Sequence, residues 1–92
     1  MNAGIEALRR DIDRIDEQIS ALFAQRMALV SDIGNMKSEN RLPVRDAERE
    51  RAIIARIIAD QDEALAECAE ALFSAIFSIS RSYQEKRLGL RP

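Results

Sequence analysis

From Ile5 to Met36 apolar side chains return every three or four residues: Ile5, Leu8, Ile12, Ile15, Ile19, Leu22, then Leu29, Ile33 and Met36. This is the spacing of one face of an α-helix, and kept up over so many turns it resembles a coiled-coil seam. Arg26 occupies the position between Leu22 and Leu29 where the rhythm asks for an apolar residue. No proline interrupts the run, and the one glycine near its end, Gly34, costs a helix about 1 kcal/mol. At 1.5 Å per residue the helix extends roughly 50 Å. No globule made from this chain is that wide, and the remaining residues are too few to cover the seam. A second copy of the chain is expected there, as an intertwined homodimer.

The stretch from Ser38 to Arg45 reads as a loop, because Pro43 cannot sit inside a helix without breaking it. Asp46 is placed to cap a second, shorter helix from Ala47 to about Ala59, with Ile53, Ile54, Ile57 and Ile58 on its buried side. Asp60-Gln61-Asp62 marks the next break, and Asp62 caps a third helix. Its expected buried stripe is Leu65, Ala69, Leu72, Ile76, Ile79 and Tyr83, with Phe73 and Phe77 beside it. Gly89 and Pro92 mark a frayed end. The expected fold is all-α, one long and two shorter helices, forming a single domain over residues 1–92.

Composition narrows the function. One-third of the residues are charged, yet the formal net charge is only −2 and the signs are interspersed, so nothing favours nucleic acid or an anionic membrane as partner. With no His and a single Cys, a zinc or haem site is not expected, and neither is a catalytic thiol, so the reading is cofactor-free. Cys68 cannot form a disulfide within the chain, which suggests a reducing compartment. Its neighbours Leu65 and Leu72 suggest a buried packing position. Met1-Asn2-Ala3-Gly4 leads straight into charged residues, with no apolar signal segment and no run long enough to span a bilayer. The expected location is the cytoplasm.

Polar residues on apolar stripes carry the chemistry. Besides Arg26, Lys37 lies one turn beyond Ile33, Asp46 and Glu50 lie four apart on the second helix, and Ser80 and Gln84 continue the line of Phe73 and Phe77. Each helix thus turns at least one polar group inward, and buried charges must face one another, water or a ligand. A purely structural arrangement accounts for these residues one at a time: Arg26 pairing with Glu50, Ser80 bonding its own preceding turn, Asp46 acting as a cap. The surplus of cations points further. Arg26, Lys37, Arg9 and Arg49, converging on a cavity with Glu50 and the Asp46 end of the second helix, suit a small dianion that bears a hydroxyl group.

At these residues the chain resembles the all-helical chorismate mutases. The matching words are Leu8-Arg9-Arg10-Asp11-Ile12-Asp13-Arg14-Ile15-Asp16, Gln25-Arg26, Ile33-Gly34-Asn35-Met36-Lys37, Pro43-Val44-Arg45-Asp46, Arg49-Glu50-Arg51 and Ser80-Arg81-Ser82-Tyr83-Gln84. The resemblance implies a dimer whose long helices pair, with each active site borrowing Arg9 from the other subunit. It implies Arg26 and Arg9 on the two carboxylates of chorismate, with Arg49 and Ser80 helping to seat a carboxylate. Lys37 and Gln84 would donate to the ether oxygen, and Glu50, with the backbone near Asp46, would hold the ring hydroxyl. The implied reaction is an intramolecular Claisen-type rearrangement to prephenate, which needs no nucleophile, proton transfer or cofactor. Two other readings remain: an isochorismate pyruvate lyase on the same fold, disfavoured by Glu50, and a non-catalytic helical dimer, disfavoured by the inward cations. A mutase acting on the ring-amino analogue would use the same acidic neighbourhood.

Overall fold

The computed structural model describes residues 3–90. Helix α1 runs Ala3–Glu39, α2 Ala47–Asp60 and α3 Glu63–Arg87. Asp46 and Asp62 open α2 and α3 as expected, their carboxylates accepting the N–H groups of Arg49 and Leu65, each at 3.0 Å. Each satisfies one of the donors that a helix start leaves without an intrahelical partner.

α1 continues through Ser38 and Glu39, past the end at Met36 that the pattern predicts. Its stop is set by Arg41, which takes the left-handed conformation at φ 56°. That lets Leu42 N–H reach the Lys37 carbonyl at 2.7 Å and Arg41 N–H reach the Ser38 carbonyl at 3.1 Å. The same double closure ends α3 around Gly89, at φ 75°, with Leu90 N–H on the Glu85 carbonyl at 2.8 Å. Glycine accepts that conformation freely, whereas arginine is penalised by about 1 kcal/mol. Pro92, expected to share the frayed end, lies outside the described residues, as do Met1 and Asn2.

α3 packs against both other helices, while among the described residues α1 and α2 do not pack on each other. A cleft therefore stays open between them, floored by α3. On the α1 side the contact is made by Met27, Val30 and Gly34, and on α3 by Phe77, Ser80 and Gln84. Met27, Val30 and Phe77 are the buried apolar side chains of the described residues. So thin a core belongs to an elongated molecule. The extents are 57 × 27 × 19 Å and the radius of gyration is 16.8 Å, against about 12 Å for a globule of this length. The long seam is bare in the single chain, with Leu8 63% and Leu22 61% exposed.

The chain departs from the sequence expectations at several places. Leu65, Leu72, Ile79 and Tyr83 are exposed, and the covered line of α3 runs instead through Phe73, Phe77, Ser80 and Gln84. α3 has two apolar faces, and its two neighbours cover the one that carries the large aromatic rings. Cys68 is exposed as well, on the same uncovered face of α3 as Leu65 and Leu72. Arg26 does not extend the seam. It is half-buried and turns toward α3, where its guanidinium lies 5.8 Å from the centre of the Phe77 ring. Among the described residues no helix is long and apolar enough to cross a membrane.

Candidate active site

The cleft measures about 290 Å³. α1 lines it with a second stripe at helical spacing, Arg26, Val30, Ile33 and Lys37, in which Val30 and Lys37 are rotated away from the seam while Arg26 and Ile33 stand at seam positions. α2 contributes Asp46, Arg49 and Glu50 from its first turns, and α3 contributes Ser80, Arg81 and Gln84. Seven of the eight residues expected at the site therefore meet around one cleft, and Arg9 is the exception.

Arg26 Nη1 donates to Ser80 Oγ at 2.8 Å, and that hydroxyl donates to the Ile76 carbonyl at 2.7 Å. The serine does bond its own preceding turn, and its lone pair also anchors the arginine. The expected pairing of Arg26 with Glu50 is not formed. The Glu50 carboxylate is taken by Arg81, whose Nη1 lies 2.5 Å from Oε2. Arg45 stands further off, its Nη2 3.6 Å from Oε1.

Lys37 owes its position to the closure of α1. The turn that sends Leu42 N–H back to the Lys37 carbonyl also brings the loop round, so that Lys37 Nζ donates to the Val44 carbonyl at 2.8 Å. Gln84 is buried, with its Nε2 donating to the Val30 carbonyl at 2.8 Å. The nitrogen must be the atom facing that carbonyl, since two oxygens there would repel. An amide nitrogen carries two N–H donors, so one remains beyond this bond. The close approach depends on Gly34: a Cβ at that position would stand 3.1 Å from Gln84 Cγ.

Arg9 lies in the other half of α1, roughly 25 Å along the helix from Arg26. It is exposed and pairs with Glu6 at 3.1 Å. Within one chain it does not reach the cleft.

Arg81 and the Val44 carbonyl are site groups that the sequence reading gave no role. A signal for Arg81 was available, since it sits four residues after Phe77 and three before Gln84, on the same side of α3. The Val44 carbonyl had none, because it depends on the path of the loop. Arg26, Lys37, Arg49 and Arg81 set against Asp46 and Glu50 leave the cleft with two surplus positive charges. It can therefore hold a small dianion, clamp its carboxylates with planar guanidinium forks, and direct Lys37 and an amide at a third point.

A family model described as chorismate mutase type II matches residues 8–85. A bifunctional chorismate mutase/prephenate dehydratase of Aquifex aeolicus is 34% identical across 92% of this chain, which spans 26% of that protein's length. A chorismate mutase of Methanocaldococcus jannaschii is 40% identical over 54% of this chain and 50% of its own length. The chain thus spans between about a quarter and a half of these two curated relatives. Among solved structures, chorismate mutase form II of Thermus thermophilus superposes with a TM-score of 0.84 at 34% identity. That match covers 88% of this chain and 93% of the other.

Proposed function

The chain belongs to the chorismate mutase type II family, and from that premise we propose that it rearranges chorismate to prephenate, on the route to phenylalanine and tyrosine. The observation that carries the reading is the cleft's surplus of two positive charges, which matches a substrate with two carboxylates.

In the proposed reaction one carbon–oxygen bond of the substrate breaks as one carbon–carbon bond forms, within a single molecule and with no net proton transfer. Two tasks fall to the protein. The first is to fold the enolpyruvyl arm over the ring, and two separate carboxylate clamps do this by fixing both ends of the molecule. Arg26, already held by Ser80, is one clamp, and Arg49 stands beside the second. The other task is to stabilise the charge that grows on the ether oxygen as its bond lengthens. Lys37 and the remaining N–H of Gln84 are the donors, and neither has to change protonation to act. Glu50, with the backbone near Asp46, holds the ring hydroxyl, whose O–H donates a hydrogen bond to the carboxylate.

The second carboxylate clamp is completed by Arg9 of a second chain. The bare seam of α1 and the thin core of the single chain support a homodimer with paired first helices, each site built from both chains. The domain spans the whole chain and works in the cytoplasm without a cofactor.

The test is loss of chorismate absorbance on adding the purified protein, with identification of the product. Prephenate is expected. No loss of absorbance with folded dimer, or release of pyruvate from isochorismate in its place, would overturn the assignment.

A further inference from the structure

We infer that Arg81 makes the cleft select a ring hydroxyl over a ring ammonium at the Glu50 corner. The inference rests on the substrate placement proposed above.

A ring hydroxyl needs an acceptor, and the cleft offers two carboxylates. Asp46 is occupied at Oδ1 by the N–H of Arg49, the cap of α2. Glu50 is the carboxylate that stands inside the cleft, its side chain 17% exposed. It is not a bare anion. Arg81 Nη1 grips Oε2 at 2.5 Å, and Arg45 Nη2 stands 3.6 Å from Oε1. The Arg45 side chain is 62% exposed, so solvent screens it. The Arg81 side chain is only 25% exposed, so solvent screens its charge less. Glu85, one turn along α3, does not line the cleft.

A paired carboxylate keeps lone pairs for further donors, because its two oxygens accept about four hydrogen bonds. A neutral hydroxyl can therefore donate to Glu50 without disturbing the pair. An amine of ordinary basicity is protonated at neutral pH. Placed at the same point it gains Glu50 but meets the Arg81 guanidinium within a few ångströms, beside a carboxylate that is itself only 17% exposed, and the two cations repel. Without Arg81, Glu50 would be a strong ammonium site. With it, the corner favours the neutral group.

The experiment compares kcat/KM for chorismate with that for the analogue bearing an amine in place of the ring hydroxyl. The proteins are the wild type, Arg81→Met, Arg81→Gln and Arg81→Lys. Arg81→Gln keeps much of the length and polarity of the side chain, and so gives a reading even if Arg81→Met fails to fold. Both neutral variants are expected to raise the amine-to-hydroxyl ratio on the order of tenfold, while Arg81→Lys stays near the wild-type ratio. An unchanged ratio in active neutral variants would overturn the inference alone. So would an equal rise in Arg81→Lys, which would make shape rather than charge the cause. A wild type inert toward both compounds would overturn the proposed reaction itself.

Discussion

The two halves of α1 carry the same apolar rhythm and meet different fates. In the first half Leu8, Ile12, Ile15, Ile19 and Leu22 are each more than half exposed, and Arg9 is paired with Glu6, one turn away. The second half is clasped by α3 along Met27, Val30 and Gly34 and turns Arg26 and Lys37 into the cleft. The difference comes from a second stripe rather than from the seam, which stays uncovered in both halves. Within the chain, α3 selects the face where a small residue, Gly34, lets Gln84 approach. In the proposed dimer the seam is left for the partner. One helix would thus serve two contacts at different angles around its axis, with the proposed chemistry where the stripe of the second contact carries charge.

Introducing charge into the bare half gives the largest expected effect. Ile12→Asp combined with Ile19→Asp would bury unpaired carboxylates in the proposed interface at several kcal/mol each. Assembly and activity are both expected to be lost, read by sedimentation velocity and turnover, although neither residue lies near the cleft. Full activity from a monomer would break the comparison.

In the covered half, Lys37→Ala should leave assembly intact and lower kcat by about a hundredfold to a thousandfold, the usual loss for one donor to a developing oxyanion. Normal turnover would remove Lys37 from the site. Gly34→Ala separates positioning from stability. Alanine favours a helix over glycine by about 1 kcal/mol, so the melting temperature should hold or rise. Its Cβ would meet Gln84 Cγ at 3.1 Å, and displacing the amide should lower kcat about ten- to a hundredfold. Unchanged kcat would mean that the glutamine tolerates the shift. The smallest effect is expected at the closure between α1 and the loop. Arg41→Gly relieves the left-handed arginine and should add about 1 kcal/mol in denaturant unfolding with no loss of activity.

Much of this was legible in the residues. Three helices, both aspartate caps and the break around Pro43 follow from local rules, and Lys37, Glu50, Ser80 and Gln84 were visible as polar intrusions on apolar stripes. What the pattern could not supply was the angle at which helices meet. Spacing identifies stripes but does not say which of two apolar faces on α3 its neighbours cover, so Leu72 and Tyr83 were expected inside while Phe77 and its line hold that place. Cys68 followed the same error. Partner choice was equally hidden: Arg26 and Glu50 are complementary charges, yet Ser80 and Arg81 lie nearer to each, which only the packing of α3 determines. The extent of α1 depended on an arginine adopting a glycine's conformation, which no composition rule anticipates.

The central claim is that each site takes its cleft from one chain and Arg9 from the other. Mixing inactive Arg9→Ala with inactive Gln84→Ala protein tests it most directly, because one of the two sites in a mixed dimer would carry neither change. With free exchange half of the dimers are mixed, so recovery of about a quarter of wild-type activity is predicted. No recovery, with subunit exchange demonstrated by mass, would contradict the account.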